Sequence, residues 1–327
     1  MTTPIGKEIT VMTGQGTTNM LESIPIIGRL LLAENSGTTF WEALPILKSG
    51  IIASIVVSVL AGYLGIYVIL KRIVFVSAAL SQISSLGIAL FFLANALVGT
   101  VGQSASSAAL PMDNSGFFSG PLFSSLLFGC VAASIMAIQV GEKKLTRESI
   151  LGIGYALPAG LVFLILDKLS GETHDIENIL FGNVIFVSDR RLWLLAATLV
   201  VVLAVHVLFY KRFVYISFDP ETARATGSNV VLLNQLFFIT LAFTLSVSIA
   251  SIGVLPVFSF LVIPAASALM LTDRLKVAFS LSVLFALSSA LIGFYLSFIY
   301  SLPTGPAMLA VSGLFLVPGA LQRGMGR

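Results

Sequence analysis

Nine apolar stretches, each about as long as a bilayer is thick, follow one another along this chain at about 44–70, 77–98, 121–140, 148–168, 191–210, 229–250, 253–272, 277–300 and 305–321. A helix needs roughly 20 such residues to cross the hydrocarbon core. The succession therefore predicts an all-α, polytopic membrane protein. Only Ser251-Ile-Gly253 separates the sixth stretch from the seventh, so eight or nine transmembrane helices are expected. Composition agrees: 57% of residues are hydrophobic and 10% charged, which excludes a soluble domain. The sequence divides into an extension at 1–40, a membrane domain at 41–322 and a tail at 323–327. The extension is mostly polar, and its weakly amphipathic patch Ile24 to Leu32 either lies on the membrane surface or is disordered.

Basic residues set the orientation, because Lys and Arg favour the cytoplasmic side. With nine spans, Lys71, Arg72, Lys143, Lys144, Arg147, Lys211, Arg212, Arg224, Arg274, Lys276, Arg323 and Arg327 share one side. Lys7, Arg29, Lys48, Lys168, Arg190 and Arg191 share the other. The richer side is cytoplasmic, which puts the N-terminus outside and the C-terminus inside. Asp113, Asp167, Glu172, Asp175, Glu177 and Asp189 then fall in external loops. One of these loops, 101–120, is rich in Ser, Gly and Ala and expected to be flexible. In the other, Asp175 to Gly182 reads as a short helix capped by Asp175.

Between two apolar stretches on the cytoplasmic side lies a polar island, Tyr215-Ile-Ser-Phe-Asp-Pro-Glu-Thr-Ala-Arg-Ala-Thr-Gly227. It predicts a miniature helix at about 217–227. Asp219 suits the N-cap, Pro220 the first turn and Glu221 the positive end of the helix dipole. Ala223 and Ala225 keep the helix slim, and Gly227 suits the left-handed stop after it. Such a helix, held at the end of a transmembrane hairpin, fits a groove on another protein.

Chemistry inside the membrane is sparse. Lys48 and Asp167 sit near span ends, and His206 lies about one turn from the cytoplasmic end of its span, where a lone histidine reads as structural. Cys130 is the single cysteine and His174 the second of two histidines, so neither a disulfide nor a multi-histidine metal site forms within one chain. The most polar transmembrane face is in the second span. There Ala78, Ser81, Gln82, Ser85 and Ala89 fall at helical spacing. This stripe reads equally as a wall of a translocation path, carried by Ala78, Ser81, Gln82 and Ser85, or as close packing of small residues. Asn234 and Gln235 open the sixth span near the surface. Pro264, among small neighbours, predicts a helix kink, and Pro303-Thr-Gly-Pro306 an external turn.

Several of these motifs recur in order in one family. Gly65-Ile-Tyr-Val-Ile-Leu-Lys-Arg72, Ala79-Leu-Ser-Gln-Ile-Ser-Ser-Leu-Gly87, Leu180-Phe-Gly-Asn183, Phe218-Asp-Pro-Glu-Thr-Ala223, Ile263-Pro-Ala-Ala266 and Leu302-Pro-Thr-Gly-Pro306 follow its sequence order. Across about residues 40–321 the chain resembles the permease subunit of zinc/manganese-type (metal) ABC importers. The resemblance implies that family's all-helical permease fold, in a bacterial plasma (inner) membrane. It implies pairing with a second permease copy or a paralogue, a cytoplasmic ATPase that holds ATP and Mg, and an extracytoplasmic substrate-binding protein. It makes 217–227 the coupling helix, with Asp219, Pro220, Glu221, Ala223, Arg224 and Gly227 facing the ATPase. No catalytic residue, resident metal or cofactor is expected on this chain, and no nucleic-acid partner. Two positions depart from the family. Its second span places an acid and an imidazole, good divalent-metal ligands, where this chain has Ala78 and Gln82. The metal then passes without tight coordination, or a different permease subunit supplies ligands, or the cargo is chelated or not a metal. A polytopic scaffold that recruits a cytoplasmic partner is the alternative of another class.

Overall fold

A computed structural model describes residues 34–35, 38–99, 120–137, 147–168 and 187–325. The Ile24–Leu32 patch, the 101–120 loop except Gly120, the expected helix at 175–182 and the Leu180–Asn183 motif lie outside them. A two-residue antiparallel pair, Glu34–Asn35 with Thr38–Thr39, leads into the first helix. Among the described residues twelve helices follow: α1 Phe40–Leu70, α2 Val74–Gly99, α3 Gly120–Ala137, α4 Arg147–Lys168, α5 Asp189–Leu208 and α6 Tyr210–Phe218. Next come α7 Pro220–Ala225, α8 Val230–Ile252, α9 Val254–Leu271, α10 Leu275–Tyr300, α11 Thr304–Leu314 and α12 Leu316–Met325.

Among the described residues, eight helical stretches are long and apolar enough to span a membrane. The ninth expected span is α4, whose apolar part, Ser149–Ile165, is shorter. The final stretch, Thr304–Leu321, is interrupted at Phe315, and its second helix continues through Arg323 into the segment expected to be a tail. The narrow gap between the sixth and seventh spans contracts to one residue, Gly253. Its φ of 89° and ψ of 168° belong to a region open essentially to glycine alone. Helix α9 continues past the buried Pro264 to Leu271.

Apolar side chains gain little by leaving lipid for protein, so close packing holds such a bundle together. Two groups of helices result. In one, α1 lies between α9 and α10, and α10 packs on α11. A methyl group added at Gly65 would come within 1.9 Å of the Leu261 carbonyl oxygen, so the α1 and α9 backbones meet there. Ser282 of α10 donates its hydroxyl to the Gly62 carbonyl at 2.6 Å. In the other group α2 packs on α3 and α4, and α3 on α8. Ser124 Oγ donates to the Gly87 carbonyl at 2.7 Å across the α2–α3 contact. The outer faces of α3, α4 and α5 carry exposed Phe123, Phe163 and Trp193, as expected of lipid-facing surfaces.

Candidate functional site

The polar island folds as two helices rather than one. Helix α5 ends at Leu208, Phe209 leaves helical geometry, and the amphipathic α6 buries Phe213, Ile216 and Ser217. The expected miniature helix at 217–227 is thus shorter at its start. Ser217 and Phe218 belong to α6, where the Ser217 hydroxyl donates to the Phe213 carbonyl at 2.6 Å. The chain then turns at Asp219, and α7 begins.

Local capping chemistry defines α7 at both ends. Asp219 Oδ1 accepts the Thr222 N–H at 2.9 Å, and its other oxygen takes the Thr222 hydroxyl. These hydrogen bonds, the hydroxyl's first, hold the Asp219 carboxyl below its ordinary titration range. Pro220 occupies the first turn and Glu221 follows it. At the far end Ser228 N–H reaches the Ala223 carbonyl at 3.0 Å and Gly227 N–H the Arg224 carbonyl at 3.1 Å. With Gly227 at φ 83°, this is a Schellman stop. Asn229 then caps α8 by accepting the Leu232 N–H at 3.1 Å. Ala223 is buried, whereas Asp219, Pro220, Glu221, Thr222, Arg224 and Ala225 are exposed. A rigid helix therefore presents polar side chains outward and rests on the bundle through a methyl group.

The small and polar stripe of α2 is mostly packed inside the chain. Ala78, Ser81, Ser85 and Ala89 are buried and Gln82 is half-exposed. Ser81 donates to the Ser77 carbonyl one turn back, at 2.8 Å. Among the described residues no three His, Cys, Asp or Glu side chains come together as a metal site would require.

Next to α7 the structure gathers a group of rings. His206 of α5 stacks on Phe213 of α6, with centroids 4.8 Å apart. Tyr67 of α1 and Phe237 of α8 lie 5.6 and 5.9 Å from the same imidazole. Phe279 of α10 lies 5.0 Å from Tyr67. The imidazole is fully buried, its Nδ1 lies 2.9 Å from the Val202 carbonyl, and its Nε2 has no hydrogen-bond partner among the described residues. A histidine so enclosed fills space between aromatic rings.

The sequence marks Lys71 as a basic flank within the Gly65–Arg72 motif and Asn234 as a polar residue near the surface. The structure joins them: Lys71 Nζ donates to Asn234 Oδ1 at 2.7 Å and lies 5.1 Å from the Phe237 ring centroid. Burial pushes the Lys71 ammonium down to about 8 from its usual range near 10.5. No local pattern signals a pair so far apart in sequence.

A bundle of membrane-length helices interrupted by a short, doubly capped surface helix defines a polytopic membrane protein. The model of the ABC 3 transport family matches residues 43–322, and the chain belongs to that family. It is 28% identical to the manganese transport system membrane protein MntC of Listeria monocytogenes over 266 residues, 81% of this chain and 86% of that protein. It is 26% identical to the manganese import system permease protein ScaB of Streptococcus gordonii over 272 residues, covering 83% and 89%. Among solved structures, PsaBC from Streptococcus pneumoniae in complex with Fab shares the fold. Its TM-score is 0.70 at 22% identity, over 86% of this chain and 94% of that one.

Proposed function

We propose that this chain is the membrane-spanning permease of an ATP-driven importer for a divalent metal ion, manganese before zinc. Membership of the ABC 3 transport family across residues 43–322 carries the reading. The names of MntC and ScaB support manganese and import. Hydrolysis belongs to a separate cytoplasmic ATPase with its ATP and Mg, delivery to an external binding protein, and the permease is completed by a second copy or a paralogue. The charge distribution supports an external N-terminus and a cytoplasmic C-terminus. Helix α7 is the docking element, with Asp219, Pro220, Glu221 and Arg224 toward the ATPase and Ala223 and Gly227 shaping it.

In this reading Ala78, Ser81, Gln82 and Ser85 line the path once the α2 face opens. Toward a cation Ser81 and Ser85 offer hydroxyl oxygens and Gln82 an amide oxygen, while Ala78 offers none. Oxygen donors suit manganese, whereas zinc is held better by imidazole and thiolate. Passage is then weakly coordinated, which favours release over trapping. The test is uptake in vesicles holding this chain, its co-purified ATPase and its binding protein, with Mn²⁺, Zn²⁺ and Fe²⁺ supplied in turn. ATP-dependent accumulation of Mn²⁺ above Zn²⁺ is expected. Accumulation of none of the three would overturn the metal reading, and the lack of any ATPase partner would overturn transport.

A further inference from the structure

Lys71 is placed where a basic flank has no need to be. It follows the last residue of α1, and the next residue, Arg72, adopts φ 56°, a left-handed conformation that strains a non-glycine residue. Hydrogen bonds from Arg72 N–H to the Ile69 carbonyl at 2.9 Å and from Ile73 N–H to the Val68 carbonyl at 3.0 Å complete a Schellman turn around it. The turn is tightly specified, and Arg72 beside it is exposed. Lys71 instead directs its ammonium inward, onto an amide oxygen and an aromatic face, and no carboxylate among the described residues compensates it. The side chain is half-buried, and drawing its cation even partly out of water costs free energy unless it is paired.

What the ammonium holds is informative. Asn234 and Phe237 lie in the first two turns of α8, the helix that Asn229 caps after the α7 stop at Gly227. Phe237 also touches Phe213 of α6 and Tyr67 of α1, each at 6.0 Å. Both helices flanking α7 therefore meet at the ring beneath Lys71. The covalent continuation of Lys71 is α2, which carries Ser81, Gln82 and Ser85.

We propose that Lys71 is a positioning residue, a strut that ties the α1–α2 turn to α8 so that displacement of α7 carries to the polar face of α2. This rests on the permease reading above. A lysine bonded to one neutral amide and one ring holds the two helices in register without the rigidity of an ion pair.

The experiment uses the complete transporter in vesicles with Mn²⁺ and measures complex assembly, ATP hydrolysis and Mn²⁺ uptake together. Lys71→Met and Asn234→Leu should each assemble with the ATPase and hydrolyse ATP. Each should lose about tenfold or more in uptake, so that ATP consumed per Mn²⁺ rises. Lys71→Arg should restore most of the uptake. The Lys71→Met/Asn234→Leu double variant should be no worse than either single one, because both remove one interaction. Wild-type uptake and stoichiometry in Lys71→Met and Asn234→Leu would overturn the strut. So would a loss of assembly parallel to the loss of uptake in all variants, Lys71→Arg included, since that is the mark of a purely structural role. If the unaltered transporter takes up no Mn²⁺, the functional reading fails first, and the two failures are distinguishable.

Discussion

The two halves of α8 are packed by opposite means. Toward its N-terminus, Asn234 and Phe237 meet Lys71, Tyr67, His206 and Phe213, large side chains that keep backbones apart and fill the space between them. Toward its C-terminus, Ser246 lies against Ser84 of α2 at 3.0 Å, hydroxyl to hydroxyl, and donates to the Ser125 carbonyl of α3 at 3.1 Å. A methyl group added at Gly129 would lie 2.7 Å from both the Ser84 and Ser246 hydroxyls. Backbones approach closely there, and small polar groups bridge them. The contrast teaches how one helix meets its neighbours in two ways. A seam of glycine and serine sets backbone against backbone, whereas a cluster of stacked and edge-on rings fills the wider space between helices. The ring-filled end is the one beside α7.

The largest effect that would test this contrast comes from the seam-type contact at Gly65. Gly65→Leu has no room against the Leu261 carbonyl, and backbone cannot rotate away. We expect loss of monodisperse protein on size exclusion; normal yield would remove the claim that backbones meet there. In the ring cluster, Phe237→Ala should cost about 3–5 kcal/mol, as for other buried aromatics, read as a lowered melting point in detergent. His206→Phe should cost far less, since it preserves a stacked ring and removes the unpartnered Nε2. A His206→Phe loss as large as that of Phe237→Ala would show that the imidazole is more than a spacer. Gly129→Ala should fall between, about 1–3 kcal/mol, because the opposing hydroxyls can turn aside. Ser84→Ala should cost about 0.6 kcal/mol, the average for a hydrogen bond between membrane helices.

The smallest effect concerns pH at α7. The folded-state pKa of Asp219 is depressed, so its cap is fully present above the ordinary carboxylate range and is lost only as pH falls through the lower folded value. Uptake between pH 5 and 8 should not vary on account of Asp219. Asp219→Asn, which keeps an oxygen acceptor, should retain more uptake than Asp219→Ala.

How much of this was legible follows the range of each interaction. The α7 caps were readable because Asp219 to Thr222 and Ala223 to Ser228 are contacts within one or two turns. The Asp219 cap was read correctly, but the range about 217–227 reached past it into Ser217 and Phe218, which close α6. The α2 stripe was found, but its spacing could not separate path from packing. The fold buries most of it in this conformation and leaves Gln82 half-exposed.

By itself the sequence determined that the chain crosses a membrane, roughly where each span lies, and that a capped helix interrupts them. Apolar length and local capping are properties of consecutive residues, and lipid leaves the backbone few alternatives to helix. Only the tertiary structure decided that Lys71 reaches Asn234, that five helices meet around Tyr67 and His206, and that Gly65 lies on the Leu261 carbonyl. Those contacts join residues far apart in the chain. Hydropathy cannot specify them, because in lipid every apolar face looks alike and shape alone selects the partner.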